Sequence, residues 1–340
     1  MKEMLKKNKI KKSESVFCLL LLLSAVCFMS CSDQKKIKPQ TEFVFGTVCT
    51  INLFENGTEN LYQEIFALLN SIEQKFSVNI SNSEISLINR NAAKNKVEVS
   101  EEVYSLVKFS SEVAELTDNV FNPALGSLIK LWSIGTEKQR VPEKTEIDSV
   151  LKYCNPENIV FEKSGDRFYI FLTEEKTQLD LGGIVKGYAS DKICELLKKK
   201  NVNRALIDLG GNIYVFGKKS EKPGEENWRV GIKNPDDRFS EPIKIVSVNS
   251  TSVVTSGNYE RFFISDGIRY HHILDSKTGF PVQNGISGVT VISENSTVCD
   301  VLSTTLFAGG IELAEKLKKI EIFGNFCAIF ISFDGKITEL

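Results

Sequence analysis

Histidine is almost absent from this chain: 340 residues carry two, side by side at His271 and His272. A zinc site built from several histidines therefore has no ligands to draw on. The cysteines offer no metal or redox motif either. Of the eight, Cys18, Cys27 and Cys31 lie in the first 31 residues; the remaining five, Cys49, Cys154, Cys194, Cys299 and Cys327, are scattered, form no C-x-x-C pair and are odd in number, so they read as small buried apolar residues rather than a disulfide framework. Neither G-x-G-x-x-G behind the first strand nor G-x-x-x-x-G-K occurs, which removes the dinucleotide-binding fold and the P-loop. No Pro/Gly/Ser-rich run divides the chain after Lys36 to Gln40, so one domain is expected.

The start of the chain reads as an address rather than as fold. Lys2, Lys6, Lys7, Lys9, Lys11 and Lys12 precede a mostly apolar run from Val16 to Met29. That run is short for a bilayer span and suits the apolar part of an export signal. It stops at Phe28-Met29-Ser30-Cys31, which resembles a bacterial lipoprotein signal and implies that Cys31 becomes a lipidated first residue. The expected division is a signal peptide over 1–30, a tether over 31–40 and one domain over 41–340. Without the first thirty residues the balance is 36 basic against 42 acidic, a formal charge of −6. A net acidic domain with no basic cluster argues against a nucleic-acid partner.

Alternating β-formers from Phe43 to Phe54 predict one strand. Thr58, Ser83 and Ser100 each stand where an N-cap precedes helical periodicity. Pro123 suits the first turn of a helix running to Trp132. Strands are then expected at 159–161, 168–172 and 177–181, a helix to Lys199, and a series of consecutive strands from Ala205 onward. Helices over Ser296 to Phe307 and Ile311 to Lys319 come near the end. Consecutive strands with segregated helices predict an α+β domain whose mixed sheet is largely antiparallel.

Candidate chemistry concentrates at a few places. Asp300 and Thr304 are four apart in an expected helix, so both leave one face as hard oxygen ligands suited to Mg²⁺. The same pair is also what a helix-dipole Asp and a back-bonded Thr would look like. Asp180-Leu181-Gly182-Gly183 runs from an expected strand into a helix, where backbone N–H groups can approach an anion and Lys186 adds a charge in the first turn. A glycine-rich turn with a solvated lysine reads identically. Asp-Leu-Gly-Gly recurs at Asp208, where a tight strand connection explains it. Thr255-Ser256-Gly257-Asn258 is a small polar loop that could contact phosphate or simply turn. His271 and His272 point to opposite faces of a strand, and Asp275 could orient one imidazole.

Taken together, FNPALG, LDLGGIVKGYASD, LIDLGGNIYVFG, TSGNYERFF, YHHILDSKTG and CDVLSTTLF, in this order, closely resemble the ApbE family of FAD:protein FMN transferases. The resemblance covers residues 43–340 and implies that the protein takes FAD as substrate, needs Mg²⁺, and transfers FMN to a Thr or Ser hydroxyl with release of AMP. Implied acceptors are membrane respiratory subunits of the Rnf/Nqr type. By the same resemblance Asp300 and Thr304 are metal ligands, completed by the Gly183 carbonyl, where many members carry Ala. Asp180, Lys186, Ala124, Leu125 and Gly126 match FAD contacts. Phe45 and Ile273 match apolar contacts to the flavin nucleotide, and Ser256, Gly257 and Asn79 join the cofactor-binding set. His272, directly before Ile273-Leu274-Asp275, matches the proton-transferring histidine. Asn79 stands where many members have Tyr; Asn cannot stack on the nucleotide, which opens the diphosphate to water and to FAD hydrolysis. A lipid-anchored protein facing the periplasm is the expected location.

Overall fold

A computed structural model of the chain describes residues 38–235 and 241–340. The expected signal peptide, Cys31 and most of the tether lie outside the described residues. The tether's last residue, Gln40, already belongs to the first strand.

The central element is an eight-stranded sheet ordered β1 (Gln40–Val44), β2 (Thr47–Leu53), β6 (Ala205–Leu209), β7 (Asn212–Phe216), β10 (Thr251–Gly257), β13 (Ile286–Ser293), β14 (Cys327–Ser332) and β15 (Ile337–Glu339). Every ladder in it is antiparallel. A smaller sheet joins β3 (Val97–Val99), β5 (Arg167–Leu172) and β4 (Ile159–Ser164), and two hairpins pair β8 (Trp228–Ile232) with β9 (Lys244–Val248) and β11 (Phe262–Ser265) with β12 (Ile268–His271). Every named ladder is antiparallel, and the one parallel pairing among the described residues is the isolated bridge of Leu125 to Gln178, outside the named strands.

Helices pack on the large sheet, on the small sheet and on one another. Among the described residues these are α1 (Glu59–Phe76), α2 (Glu84–Arg90), α3 (Glu101–Leu116), α4 (Gly126–Trp132), α5 (Lys144–Leu151), α6 (Val185–Lys199) and α7 (Ser296–Leu317). Thr58, Ser83 and Ser100 cap as their sequence positions predict, each side-chain oxygen accepting an N–H from three residues on. The long helix α7 lies on β10 and β13 and crosses α6. It breaks at Gly310, whose φ of 75° and ψ of −169° no helix contains, and this accounts for the two expected helices within one assigned span. On the opposite face the β8–β9 hairpin seals an apolar cluster of Val215, Val230, Ile232, Val246, Val253, Ile329 and Ile331. That cluster stabilises the sheet and carries no chemistry.

Four expectations are corrected. The strand read from Phe43 to Phe54 is a hairpin, turned at Phe45 and Gly46 with φ of 56° and 69°. Pro123 precedes α4 rather than opening it, because Gly126 is pinned against Gln178 and the helix begins there. Residues 177–181 are extended but not a strand, since only Gln178 makes a bridge. Thr255 to Gly257 is no loop but the end of β10, paired to Thr290, Val289 and Gly288.

Candidate functional site

The site is built where α6 and α7 cross. Gly187, in the first turn of α6, has room for no side chain: a Cβ there would lie 2.2 Å from the Ser296 carbonyl oxygen. The absence of that atom lets α7 approach until the Gly187 N–H donates to Asp300 Oδ2 at 2.9 Å. Asp300 is buried, with 3% of its surface exposed, so its carboxylate needs compensation. It receives the positive end of α6 and the Lys186 ammonium, whose Nζ stands 3.4 and 3.5 Å from the two carboxylate oxygens. Those distances exceed the 2.7–2.9 Å typical of a tight charge-assisted bond, so Lys186 shares the carboxylate loosely. The same Nζ also donates to the Gly182 carbonyl at 3.2 Å.

One turn further along α7, Thr304 reaches the same place. Ser256 Oγ lies 2.9 Å from Ser303 Oγ and 3.3 Å from Thr304 Oγ1, tying the end of β10 to α7. A Cβ on Gly183 would stand 3.5 Å from Thr304 Oγ1 and 3.4 Å from Phe121 Cε2. A carboxylate, hydroxyls and a backbone segment thus converge from three parts of the chain, and no sulfur or imidazole is among them. Hard oxygen donors around a buried negative charge fit Mg²⁺.

The segment leading into α6 is held on both sides. Asn89 of α2 clamps Leu179, donating to its carbonyl at 3.0 Å and accepting its N–H at 2.7 Å. On the other side the Gly126 N–H donates to the Gln178 carbonyl at 2.9 Å, and the Asp180 N–H to the Pro123 carbonyl at 2.9 Å. Ala124, Leu125 and Gly126 are thereby fixed beside Asp180. Asp180 Oδ1 accepts the Gly182 N–H at 2.8 Å and so shapes the turn. Burial raises the Asp180 pKa, while that bond and the charges of Arg261 and Lys186 pull it down.

The two histidines have different surroundings. His271 is buried, edge-on to Phe307 with centroids 5.4 Å apart. Its Nδ1 faces the Ile273 N–H and its Nε2 faces the Val282 carbonyl at 2.8 Å, so both ring nitrogens are used internally. His272 is exposed, with Nδ1 3.3 Å from the Arg261 carbonyl. Desolvation lowers its pKa, reinforced by the charges of Arg261, His271 and Lys186, so the ring is neutral at pH 7. Asp275 touches neither imidazole: its Oδ1 accepts the Lys277 N–H at 2.7 Å and closes a local turn. The expectation that it orients a histidine is overturned, and the Arg261 carbonyl takes that place.

The structure therefore joins Asp180, Gly183, Lys186, Ser256, Asp300 and Thr304 through contacts, with Ala124, Leu125 and Gly126 against their rear. Gly257 is buried under the Tyr259 ring, and Ile273 is buried beside His271. Phe45 sits at the β1–β2 turn with its N–H donated to Glu73 Oε1 at 2.7 Å, and Asn79 is exposed after α1; no hydrogen bond links either to the cluster. Arg261, Asn89 and Gly187 were not singled out from sequence. A small residue one turn into α6 was the available signal for Gly187, whereas Asn89 acts through a loop 90 positions away. An open groove of about 570 Å³, lined by Ser127, Lys130, Lys138, Lys176 and Gln178 among others, adjoins this region through Gln178 rather than at Asp300.

Comparison with known proteins places these features in a family. The family model described as "ApbE family" matches residues 45–324. A protein of Treponema pallidum (strain Nichols) named FAD:protein FMN transferase is 34% identical over 342 residues, covering 96% of this chain and 94% of that one. Another of that name from Klebsiella pneumoniae (strain 342) is 35% identical over 280 residues, covering 82% and 85%. Among solved structures, the ApbE protein of Thermotoga maritima superposes with a TM-score of 0.78 at 32% identity, covering 88% of this chain and 96% of its own. The flavinyl transferase ApbE of Pseudomonas stutzeri, in its apo form, gives 0.74 at 27%, covering 90% and 94%.

Proposed function

This chain belongs to the ApbE family, and from that premise we propose that it is a Mg²⁺-dependent FAD:protein FMN transferase. It moves FMN from FAD to a Thr or Ser hydroxyl of an exported or membrane protein of the Rnf/Nqr type and releases AMP. The observation that carries the reading is the buried Asp300 carboxylate, held at the N-terminus of α6 by the Gly187 N–H and Lys186, one helical turn before Thr304, whose hydroxyl meets Ser256. A buried anion placed beside helix-terminal N–H groups and a lysine is a poor binder of phosphate by itself, and a good one once a divalent cation joins it.

Bound by Asp300, Thr304 and the Gly183 carbonyl, Mg²⁺ would supply charge neutralisation at the diphosphate. Lys186 is placed to leave Asp300 for a phosphate oxygen, since its present bonds are long. His272 holds a neutral ring open to the cleft and takes the proton of the acceptor hydroxyl. Ala124, Leu125, Gly126, Phe45 and Ile273 provide backbone and apolar surface for the nucleotide.

FAD hydrolysis is a second reading, favoured by the exposure of Asn79 where an aromatic ring would shield the diphosphate. An FAD-binding lipoprotein without catalysis is the third, and the oxygen ligand set speaks against it. Residues 1–30 as a lipoprotein signal, with Cys31 acylated behind a short tether, put the domain at a bacterial membrane facing the periplasm. The test incubates the protein with FAD, Mg²⁺ and an acceptor subunit. Transfer adds the mass of FMN to the acceptor and releases AMP; hydrolysis alone releases AMP and FMN with no modified acceptor; a binder leaves FAD intact. Asn79→Tyr should lower hydrolysis relative to transfer.

A further inference from the structure

Arg261 stands in the turn between β10 and β11 and serves the site with its backbone. Its carbonyl accepts the His272 N–H at 3.1 Å and lies 3.3 Å from His272 Nδ1. A carbonyl can only accept, so Nδ1 carries the proton in this pairing and Nε2 keeps its lone pair for the cleft. The side chain has no such engagement. The guanidinium is exposed, and among the described residues it has no hydrogen bond or ion pair, although neighbouring Glu260 is paired with Lys233 at 3.6 Å. Its stem passes over Gly135, with Cδ 3.8 Å from where a Cβ of that glycine would be, so a wall of the α4–α5 loop supports it. Asp180 and His272 both feel its charge. A planar fork of five donors, supported along its stem and unpaired among the described residues, has the geometry that binds phosphate oxygens in pairs.

We propose that the Arg261 guanidinium grips the phosphoryl group that is transferred, facing Lys186 across it, while the Arg261 carbonyl holds the base in the reactive tautomer. This rests on the transferase reading. The assignment to the FMN-side phosphorus follows from connectivity. The base must reach a hydroxyl attacking that phosphorus, and Arg261 is bonded to the base, whereas Lys186 is bonded to Asp300 and Gly182. In the step, the acceptor oxygen forms a new bond to the FMN-side phosphorus. The bond from that phosphorus to the bridging oxygen breaks, AMP leaves with the electron pair, and the hydroxyl proton passes to His272 Nε2. Arg261 and Lys186 meet the charge on the equatorial oxygens.

The experiment titrates wild type, Arg261→Gln and Arg261→Lys with riboflavin, FMN and AMP, following flavin fluorescence for the first two and heat for AMP. Arg261→Gln should weaken FMN by roughly tenfold to a hundredfold, the span for losing a hydrogen bond to a charged group, and leave riboflavin and AMP unchanged. Arg261→Lys should fall between, keeping the charge without the fork. Unchanged FMN affinity overturns the proposal, as does equal weakening of riboflavin, which would mean a collapsed loop. Loss confined to AMP overturns it by placing the arginine on the other phosphate. A wild type that binds FMN no better than riboflavin overturns it as well. These titrations need no turnover, so they stand apart from the test of the transferase reading, which fails if wild type modifies no acceptor.

Discussion

Two copies of one tetrapeptide, Asp-Leu-Gly-Gly at 180 and at 208, have different outcomes in this fold. In both, the aspartate captures a backbone N–H at 2.8 Å, of Gly182 in the first copy and Gly211 in the second. There the likeness ends. Gly210 and Gly211 take φ of 65° and 92°, the left-handed pair that closes a two-residue hairpin between β6 and β7. Gly182 and Gly183 need no left-handed φ, and the chain runs on through Ile184 into α6. The first copy faces Thr304 and Phe121 through Gly183; the second presses against Thr47 of the neighbouring hairpin through Gly210. A local motif fixes a local turn. What the turn is for depends on the element that follows and on the partner it meets.

The strongest way to break this comparison is to remove the partner of the first copy. Asp300→Asn keeps the shape and the acceptor for the Gly187 N–H but loses the charge that balances Lys186 and would hold a divalent cation. AMP release should fall beyond the roughly 10²–10⁴-fold that loss of a general base brings, and added Mg²⁺ should not restore it. The assay is AMP release against Mg²⁺ concentration. Retained activity with ordinary Mg²⁺ dependence would put the chemistry somewhere other than the α6–α7 crossing.

The unequal legibility of the two copies follows from the same physics. Caps at Thr58, Ser83 and Ser100 are local, so the residues alone announce them. The helical spacing of Asp300 and Thr304 is local too, and α7 delivers it. The β1–β2 turn was invisible because Phe45, a bulky residue, occupies a left-handed φ that favours Asn, Asp or Gly, held there by Glu73 from 28 positions away. Residues 177–181 look like a strand because they are extended, yet their backbone partners are Asn89, Pro123 and Gly126 rather than a ladder. The Asp275 expectation failed for a related reason: an Asx turn answers the carboxylate locally before any imidazole can. Long-range partners decided each miss, and a single sequence does not display them.

The adjacent histidines repeat the comparison within one dipeptide. His272→Gln should lower transfer by roughly 10²–10⁴-fold with FAD binding retained, read as kcat against KM. Because its pKa is lowered, wild-type activity should persist as pH falls past 6.5 and decline only at lower pH. His271 instead bears on stability. Burial lowers its pKa, so below about pH 6.5 the unfolded chain takes up a proton that the folded one resists, and stability falls with pH. Asp180 and Asp191, whose pKa values burial raises, act in the opposite sense in wild type and variant alike. The difference between wild type and His271→Gln in denaturant unfolding at pH 7 and pH 5 therefore isolates the buried imidazole, and it should be larger at pH 7.

Alanine at one glycine of each copy gives smaller effects of opposite character. Gly210→Ala forces a side chain into a φ of 65° and to within 2.3 Å of Thr47 Oγ1, so unfolding should become easier by about 1–3 kcal/mol with kcat little changed. Gly183→Ala meets Phe121 Cε2 at 3.4 Å and Thr304 Oγ1 at 3.5 Å, which is ordinary contact, at an unstrained φ. Its stability should be unchanged or raised by up to about 1 kcal/mol, because alanine restricts the unfolded chain. The Gly183 carbonyl, not its missing side chain, is what the cation reading uses, so AMP release should stay within a few-fold of wild type. A large loss in Gly183→Ala, measured beside an intact melting curve, would mean that the first glycine pair is there to admit a ligand atom into the space a Cβ fills. The two copies would then differ in what they exclude as well as in where they lead.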